Sequence, residues 1–442
     1  MKYHPCSAFL ALALLLLTHG APGHGQTSIG GEVRYRVGAE IPVANPGEAL
    51  LSHVGAAAVS LSAGSACGEV NLRARLEQDF GADSTDIDLE SGEVVGYLGD
   101  YLVSRAGFFA YQPSVSDLLP ALDFFKRRDL EAYFAGRVEK AIIPAPLLQL
   151  TGLAGPLYAR LTILPVEVEV PFVDAGSPWF PNLGFPEEIN VGSPSSTTMR
   201  LSEIVVDRYP APTLRVDAAS YQGELGGSVG LIDFTIIYYH GQDLRPRYTA
   251  TLEFPQGLFQ DYRVRLTPVP HRLDAIGGNI LAVLGPVRTY GEIVYRHADV
   301  IVVEEVTVTE SGFQTKVHET PTWTYTLGAS YRRVYPALLI TAEYTNSGIE
   351  DRVTRMIEPS LEHAAALTAT WSPFDGRLAV TAFGLMSLLD YSFNTSLRTE
   401  LWSPDGSLGV RLTAPVFWGA DDTELGQYAD LVLPSAEVVY RF

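Results

Sequence analysis

From Gln26 onward, apolar and polar residues alternate with a period of two, the period of a strand with one apolar face. Val33, Tyr35 and Val37 alternate with Glu32, Arg34 and Arg36, and Val70, Leu72, Ala74 and Leu76 alternate with Glu69, Asn71, Arg73, Arg75 and Glu77. The second half repeats the signal more cleanly. Tyr262, Val264 and Leu266 oppose Arg263 and Arg265, while Val287, Thr289, Gly291, Ile293 and Tyr295 oppose Arg288, Tyr290, Glu292, Val294 and Arg296. Trp323, Tyr325, Leu327, Ala329 and Tyr331 share a face, with Thr324, Thr326, Gly328, Ser330 and Arg332 behind them. Leu338, Ile340, Ala342 and Tyr344 repeat the pattern, as do Tyr391, Phe393 and Leu397 against Asn394, Arg398 and Glu400. Ser403-Pro404-Asp405-Gly406 then reads as a tight turn into Leu408, Val410, Leu412 and Ala414. Counting such runs gives about 16 strands, within a range of about 14 to 18, of roughly ten residues each.

The chain ends on the same pattern. Ser435 to Phe442 places Ala436, Val438, Tyr440 and Phe442 on one face and Ser435, Glu437, Val439 and Arg441 on the other. A strand ending in an aromatic residue resembles the closing strand of bacterial outer-membrane β-barrels. That resemblance implies an assembly signal at Tyr440 and Phe442, read by the barrel-assembly machinery; the alternative is an ordinary edge strand. Trp323, Trp371, Trp402 and Trp418 fall near strand ends, where an aromatic girdle would lie.

Composition narrows the class. Charged residues make up 19% of the 442, with 40 glycines and 22 tyrosines, too polar for a helical membrane protein and too weakly charged for a typical soluble one. Met1 to Gly25 carries Lys2, the apolar run Ala8 to Leu17 and small residues around Gly20 to Gly25, the layout of a secretory signal peptide. The remainder, 26–442, shows no linker and reads as one all-β transmembrane antiparallel barrel in the bacterial outer membrane, in contact with its lipids. A net charge of -20 argues against nucleic acid as a partner. Cys6 lies in the leader, so Cys67 has no disulfide partner in the mature chain.

Two segments break the alternation. Asp79 to Glu93 is acid-rich and reads as a solvated surface loop, lacking the glycine and terminal glutamate of an EF-hand. In Asp117-Leu118-Leu119-Pro120-Ala121-Leu122-Asp123-Phe124-Phe125, the mid-run proline excludes a central strand, and Lys126, Arg127 and Arg128 follow at once. A segment of this composition near 111–128 folds into a barrel mouth and narrows it, or lies on the surface. With Asp117, Pro120, Asp123 and the three cations as its candidate constriction residues, this run, together with Ile143-Pro144-Ala145-Pro146-Leu147, Ile163-Leu164-Pro165 and Gly176-Ser177-Pro178-Trp179-Phe180, resembles porin-like outer-membrane proteins of unknown function. These are distantly similar to phosphate-selective and alginate-export porins. Tyr238-Tyr239-His240-Gly241 and Gly426-Gln427-Tyr428-Ala429-Asp430 fit the same family, whereas Pro113-Ser114-Val115 stand where it commonly has Trp-Gly.

For a channel, the functional residues are those of the polar strand faces. The candidate pore lining is Arg34, Arg36, Arg73 and Arg75 early in the chain. Later it comprises Arg263, Arg265, Arg288, Glu292, Arg296, Arg332, Glu343, Arg398, Glu400 and Arg411. Arginine outnumbers carboxylate on these faces, which points to a lumen favouring small polar or anionic solutes; the alternative is that the arginines pair across strands and stiffen the wall. Catalysis would need a constellation that neither His240 with Asp243 nor His363 with Glu362 completes, and no phosphate loop or nucleotide fingerprint calls for a cofactor. The reading is a passive outer-membrane channel, with a non-conducting surface barrel (an adhesin or structural protein) and a soluble all-β protein of the periplasm as its rivals.

Overall fold

The computed structural model describes residues 26–42, 50–80, 84–125, 127–128, 142–170, 188–191, 197–207, 218–245, 247–254, 261–309, 312–333, 337–349, 363–420, 423, 425–429 and 431–442. The expected signal peptide, 1–25, lies outside them.

Eighteen strands form the wall. The first seven are β1 (Gln26–Pro42), β2 (Leu50–Ser65), β3 (Gly68–Asp79), β4 (Ser84–Leu98), β5 (Leu102–Phe109), β6 (Ala145–Ala154) and β7 (Leu157–Leu164). The next six are β8 (Ser220–Val229), β9 (Ile232–Gln242), β10 (Arg272–Leu284), β11 (Val287–Thr309), β12 (Gly312–Arg333) and β13 (Ala337–Ile349). The last five are β14 (His363–Ser372), β15 (Leu378–Ser387), β16 (Phe393–Trp402), β17 (Leu408–Trp418) and β18 (Ser435–Arg441). Each pairs antiparallel with the next, and β18 pairs back onto β1 from Gly38↔Ser435 to Glu32↔Arg441. Closure leaves the wall no free edge, the condition for strands to cross a bilayer. The count corrects the expected sixteen. Glycines at 223, 226 and 227 in β8 and Pro146 in β6 dilute the alternation where wall strands were undercounted.

The two faces follow the sequence. On β12, Trp323, Leu327 and Tyr331 point outward and are exposed, while Thr322, Thr326 and Ser330 are buried on the inner side. On β11, Ile293 and Tyr295 face out, and Tyr290, Glu292 and Val294 are buried within. Of the four tryptophans expected in a girdle, three sit on the outer face, Trp371 and Trp418 at strand ends and Trp323 midway along the long β12: Trp323 stacks on Tyr325 (5.5 Å), Trp418 stacks on Phe393 (4.7 Å), and Trp371 is 44% exposed. Trp402 is the exception. It shares the inner face with Arg398 and Glu400, donates its indole N–H to Glu400 (3.2 Å) and lies under the Arg441 guanidinium. Leu327, midway between Trp323 and Tyr331, marks the centre of the apolar band. Leu327→Arg is expected to cost about 2–4 kcal/mol in reversible unfolding from lipid vesicles, against near zero for the same change beside Tyr331.

One end of the barrel carries short turns. The turn between β16 and β17 is the tight one expected: Asp405 accepts from the Ser403 hydroxyl and from the Ser407 N–H and hydroxyl, which hold its carboxyl down to about 2, and Gly406 takes a positive φ of 73°. Gln26 and Phe442 lie at this same end. At the opposite end the connections after β5, β7 and β9 are long, and β11 and β12 run to 23 and 22 residues, extending past the strands flanking them.

That extension carries an annexe. Tyr248–Glu253 pairs with β12 near Gln314 and with Tyr262–Pro268, which in turn runs parallel to Thr197–Val206; Glu188–Val191 completes it. Tyr262, Val264 and Leu266 bury one face against Ala250. Arg263 and Arg265 cover the other, pairing with Glu253 (2.5 and 2.7 Å) and Asp207 (2.8 Å). Their alternation is real, but the face it buries is a small sheet core. They therefore sit outside the wall they were expected to line.

Candidate pore and its inner segment

Between β5 and β6 the chain turns into the barrel. Leu122 is fully buried, Phe124 stacks on Tyr239 at 4.7 Å and Phe125 meets the same ring edge-on at 5.4 Å. Around them lie inner-face residues of the wall: Phe109, Leu147, Ile237, Leu273 and Val294. Burying Leu122, Phe124 and Phe125 contributes roughly 1.5–3 kcal/mol each. Further along, Leu118 and Leu119 pack on Ala364, Ala366 and Leu385 of β14 and β15, beside Leu425 from the β17–β18 connection.

A segment without regular structure must still satisfy its backbone. Here the wall supplies the partners. Glu292 on β11 accepts the N–H groups of Val115 (2.5 Å), Ser116 (2.9 Å) and Ala121 (3.0 Å) and the Ser114 hydroxyl. Glu343 on β13 accepts those of Asp117 (2.9 Å), Leu118 (3.1 Å) and Leu119 (2.7 Å), with the Ser116 and Tyr290 hydroxyls. The carbonyls are met from β10, β11 and β12: Asn279 donates to Pro113, Arg288 to Val115, Thr326 to Leu119 and Arg296 to Ala121. Two carboxylates each cradled by successive N–H groups form anion nests, with the protein's own side chains as the anions. Glu292, Glu343, Arg288 and Arg296 were expected as pore lining; the structure places them as the anchors of this segment.

Tyr111 at its start closes a second anchor. Its hydroxyl donates to Glu224 on β8 and accepts from Arg160 on β7 (2.7 Å), while Gln222 donates to Glu224 (2.9 Å). Burial, and then the Glu224 charge, push that hydroxyl well above its ordinary range. Arg160, Gln222 and Glu224 were missed from sequence, although the run Tyr158-Ala159-Arg160-Leu161-Thr162 alternates.

The opposite side of the lumen is charged. Arg398 meets Glu400 (2.6 Å), Glu400 meets Arg411 (3.4 Å), and Arg411 meets Glu437 (2.5 Å). Glu437 lies 3.9 Å from Arg34, Arg34 contacts Glu32 (2.5 Å), and Glu32 accepts from Arg73 (2.7 Å). Arg73 then pairs with Glu90, Glu90 with Arg75 (3.1 Å) and Arg75 with Glu77 (2.9 Å). Sign alternates at every step from β16 through the closure to β4. Arg73 on β3 reaches Glu32 on β1 because the inner face of β2 between them carries only Ala56, Ala58 and Ser60. Arg36 sits opposite Glu437 in register. Cross-strand pairing of the arginines, the alternative weighed against an anion-favouring lumen, is thus what this wall displays.

The remaining expectations divide. Asp117 is largely exposed, 3.4 Å from Arg288, and Asp123 accepts from the Ser114 N–H, closing the segment on itself. Arg127 donates to the Pro144 and Glu169 carbonyls, and burial pulls its pKa down to about 10; it braces the base of the segment. Lys126 lies outside the described residues, and of Arg128 only the backbone pairing with Ile142 is described. The acid-rich stretch is mostly strand: Ser84–Leu98 pairs with β3, and Glu90 and Glu93 are matched by Arg73, Arg75 and Arg105. No cluster of metal-ligating side chains occurs among the described residues. His240 bonds to Asp274 (2.7 Å), on the strand face opposite the buried Tyr239, while Asp243 pairs with Arg245 (2.7 Å), so these two do not meet. His363 contacts Tyr344 and Asn346, and Glu362 lies outside the described residues. Arg332 is exposed at the short-turn end, where a vestibule of about 1000 Å³ is lined by Arg288, Arg332, Arg333, Ser330, Thr341 and Asp117.

No protein-family model and no curated protein matches the sequence. Solved structures do. The chain is similar to Pseudomonas aeruginosa OccK2 (OpdF), 10% identical over 94% of this chain and 98% of that one, with a TM-score of 0.50. It is also similar to Pseudomonas aeruginosa OccK5 (OpdH), 9% identical over 94% and 98%, and to Acinetobacter baumannii OccAB3, 9% identical over 94% and 99%, both at a TM-score of 0.48. These relatives are outer-membrane porins, and at such identities the likeness is one of fold.

Proposed function

We propose that this chain is a porin-like channel of the bacterial outer membrane, passing small polar solutes by passive diffusion, within the broad group to which phosphate-selective and alginate-export porins belong. The observation that carries the reading is the division of the lumen: an inner segment clamped to β10–β13 on one side, and an alternating ladder of arginine and glutamate on the other. A barrel of this strand number encloses more space than its own side chains fill. The inner segment narrows that space without closing the ladder side. At the short-turn mouth Arg288, Arg332 and Arg333 draw anions toward the lumen. The long-loop end faces outward and the short turns face the periplasm, the usual arrangement of such barrels. Residues 1–25 direct export, and β18 with Tyr440 and Phe442 presents the assembly signal.

Planar-bilayer recording of the refolded protein tests this. Stepwise conductance is the expected result, reduced in its anion component by Arg288→Glu and Arg332→Glu. Stable insertion without conductance would assign the chain to closed surface barrels of adhesive or structural role.

A further inference from the structure

The ladder bears on which solutes pass. Resting on the channel reading, we infer that it selects zwitterions, small molecules carrying one carboxylate and one ammonium a few bonds apart, over net anions and net cations of equal size. The arginines of the ladder do not stand alone. A carboxylate that enters and takes Arg411 must draw it from Glu400 or Glu437, and one that takes Arg34 must draw it from Glu32 or Glu437. The side chains of Glu32 and Glu437 are only 10% and 12% exposed, so a glutamate that loses one of its two ladder arginines is left half-paired where little water can replace the lost contact. An entering cation meets the mirror-image penalty at the arginine it displaces.

A zwitterion avoids both. Its carboxylate takes the arginine while its ammonium takes the glutamate, and every charge stays paired through the exchange. The geometry suits a short dipole, since successive charged groups of the ladder all approach within 3.9 Å. Because sign alternates from Arg398 to Glu77, the same exchange can repeat from pair to pair. Beside the first strand of the ladder, Leu118 and Leu119, packed on β14 and β15, present partly buried apolar surface.

A matched set of solutes tests this in proteoliposome swelling: serine, glycerate, which replaces its ammonium by hydroxyl, and serinol, which replaces its carboxylate by hydroxymethyl. Serine is expected to enter at least about threefold faster than either. Glu437→Gln, and separately Glu90→Gln on another strand, should raise glycerate relative to serine and shift the reversal potential under a salt gradient toward chloride. Retained heat-modifiable gel mobility verifies that each variant forms the barrel. Glycerate ahead of serine in the unaltered protein, or an unchanged ratio in both folded variants, would overturn the inference while leaving a conducting channel. Absence of both swelling and conductance would remove the channel reading and this inference with it.

Discussion

Glu343→Gln is expected to free the inner segment and raise single-channel conductance by about two-fold or more, with flickering openings, while the barrel itself stays folded. The reason lies in how fully the carboxylate is used. One oxygen accepts from Asp117 N–H, Leu118 N–H and the Tyr290 hydroxyl, and the other from Leu118 N–H, Leu119 N–H and the Ser116 hydroxyl. Glutamine has one acceptor and one donor, so in either orientation its NH₂ faces donors. Each buried N–H left unmet costs about 1–3 kcal/mol. Glu292→Gln should act in the same direction through Val115, Ser116 and Ala121, and the double variant should be the most open. The wall's own ladder of hydrogen bonds does not pass through these side chains, so heat-modifiable mobility should survive. Chymotrypsin cleavage within 111–125, whose tyrosine, leucines and phenylalanines are its sites, is expected only after substitution and supplies the independent readout. Unchanged conductance and unchanged cleavage in the double variant would mean that the apolar packing of Leu122, Phe124 and Phe125 holds the segment alone.

Glu292 and Glu343 show where sequence reading reaches and where it stops. Alternation put both on the polar face, and the structure keeps them there. What alternation cannot supply is the partner. A glutamate on an inner face reads the same whether it meets water, arginine or a run of backbone N–H groups brought from more than 170 residues away. The same blindness misplaced Arg263 and Arg265, because a period of two reports that one face is apolar and not whether lipid or a second sheet covers it. The arginine excess was legible, but its matching was not: Glu32, Glu77, Glu90 and Glu437 reach their partners through registers set by closure and by the small inner face of β2. The Pro-interrupted run was recognisable because proline and its apolar neighbours fit no wall strand. Arg160 and Glu224 were overlooked for the opposite reason, lying in short strands of eight and ten residues, the second with its alternation diluted by glycines at 223, 226 and 227.

Closure rests on the last strand, and its removal should have the largest effect of any change to the wall. Deleting Ser435–Phe442 exposes β1 from Glu32 to Gly38 and β17 from Leu408 to Thr413, and takes Glu437 from between Arg34 and Arg411. In a bilayer those backbone groups have no water to turn to. The truncated chain should give no heat-modifiable barrel in detergent or lipid. Phe442→Ala separates this from the assembly signal. The Phe442 backbone exchanges hydrogen bonds with Gly31 in both directions at 3.0 Å, and these survive loss of the ring. The ring covers Gly31, where a Cβ would come within 2.5 Å of its Cζ, but is itself 63% exposed on the outer face. Its loss should therefore cost only about 1–3 kcal/mol in refolding. If Phe442 is also what the assembly machinery reads, Phe442→Ala will refold in vitro yet accumulate poorly in outer-membrane fractions of expressing cells. Equal loss in both settings would make the residue a structural one, a wedge that closes the seam between β18 and β1.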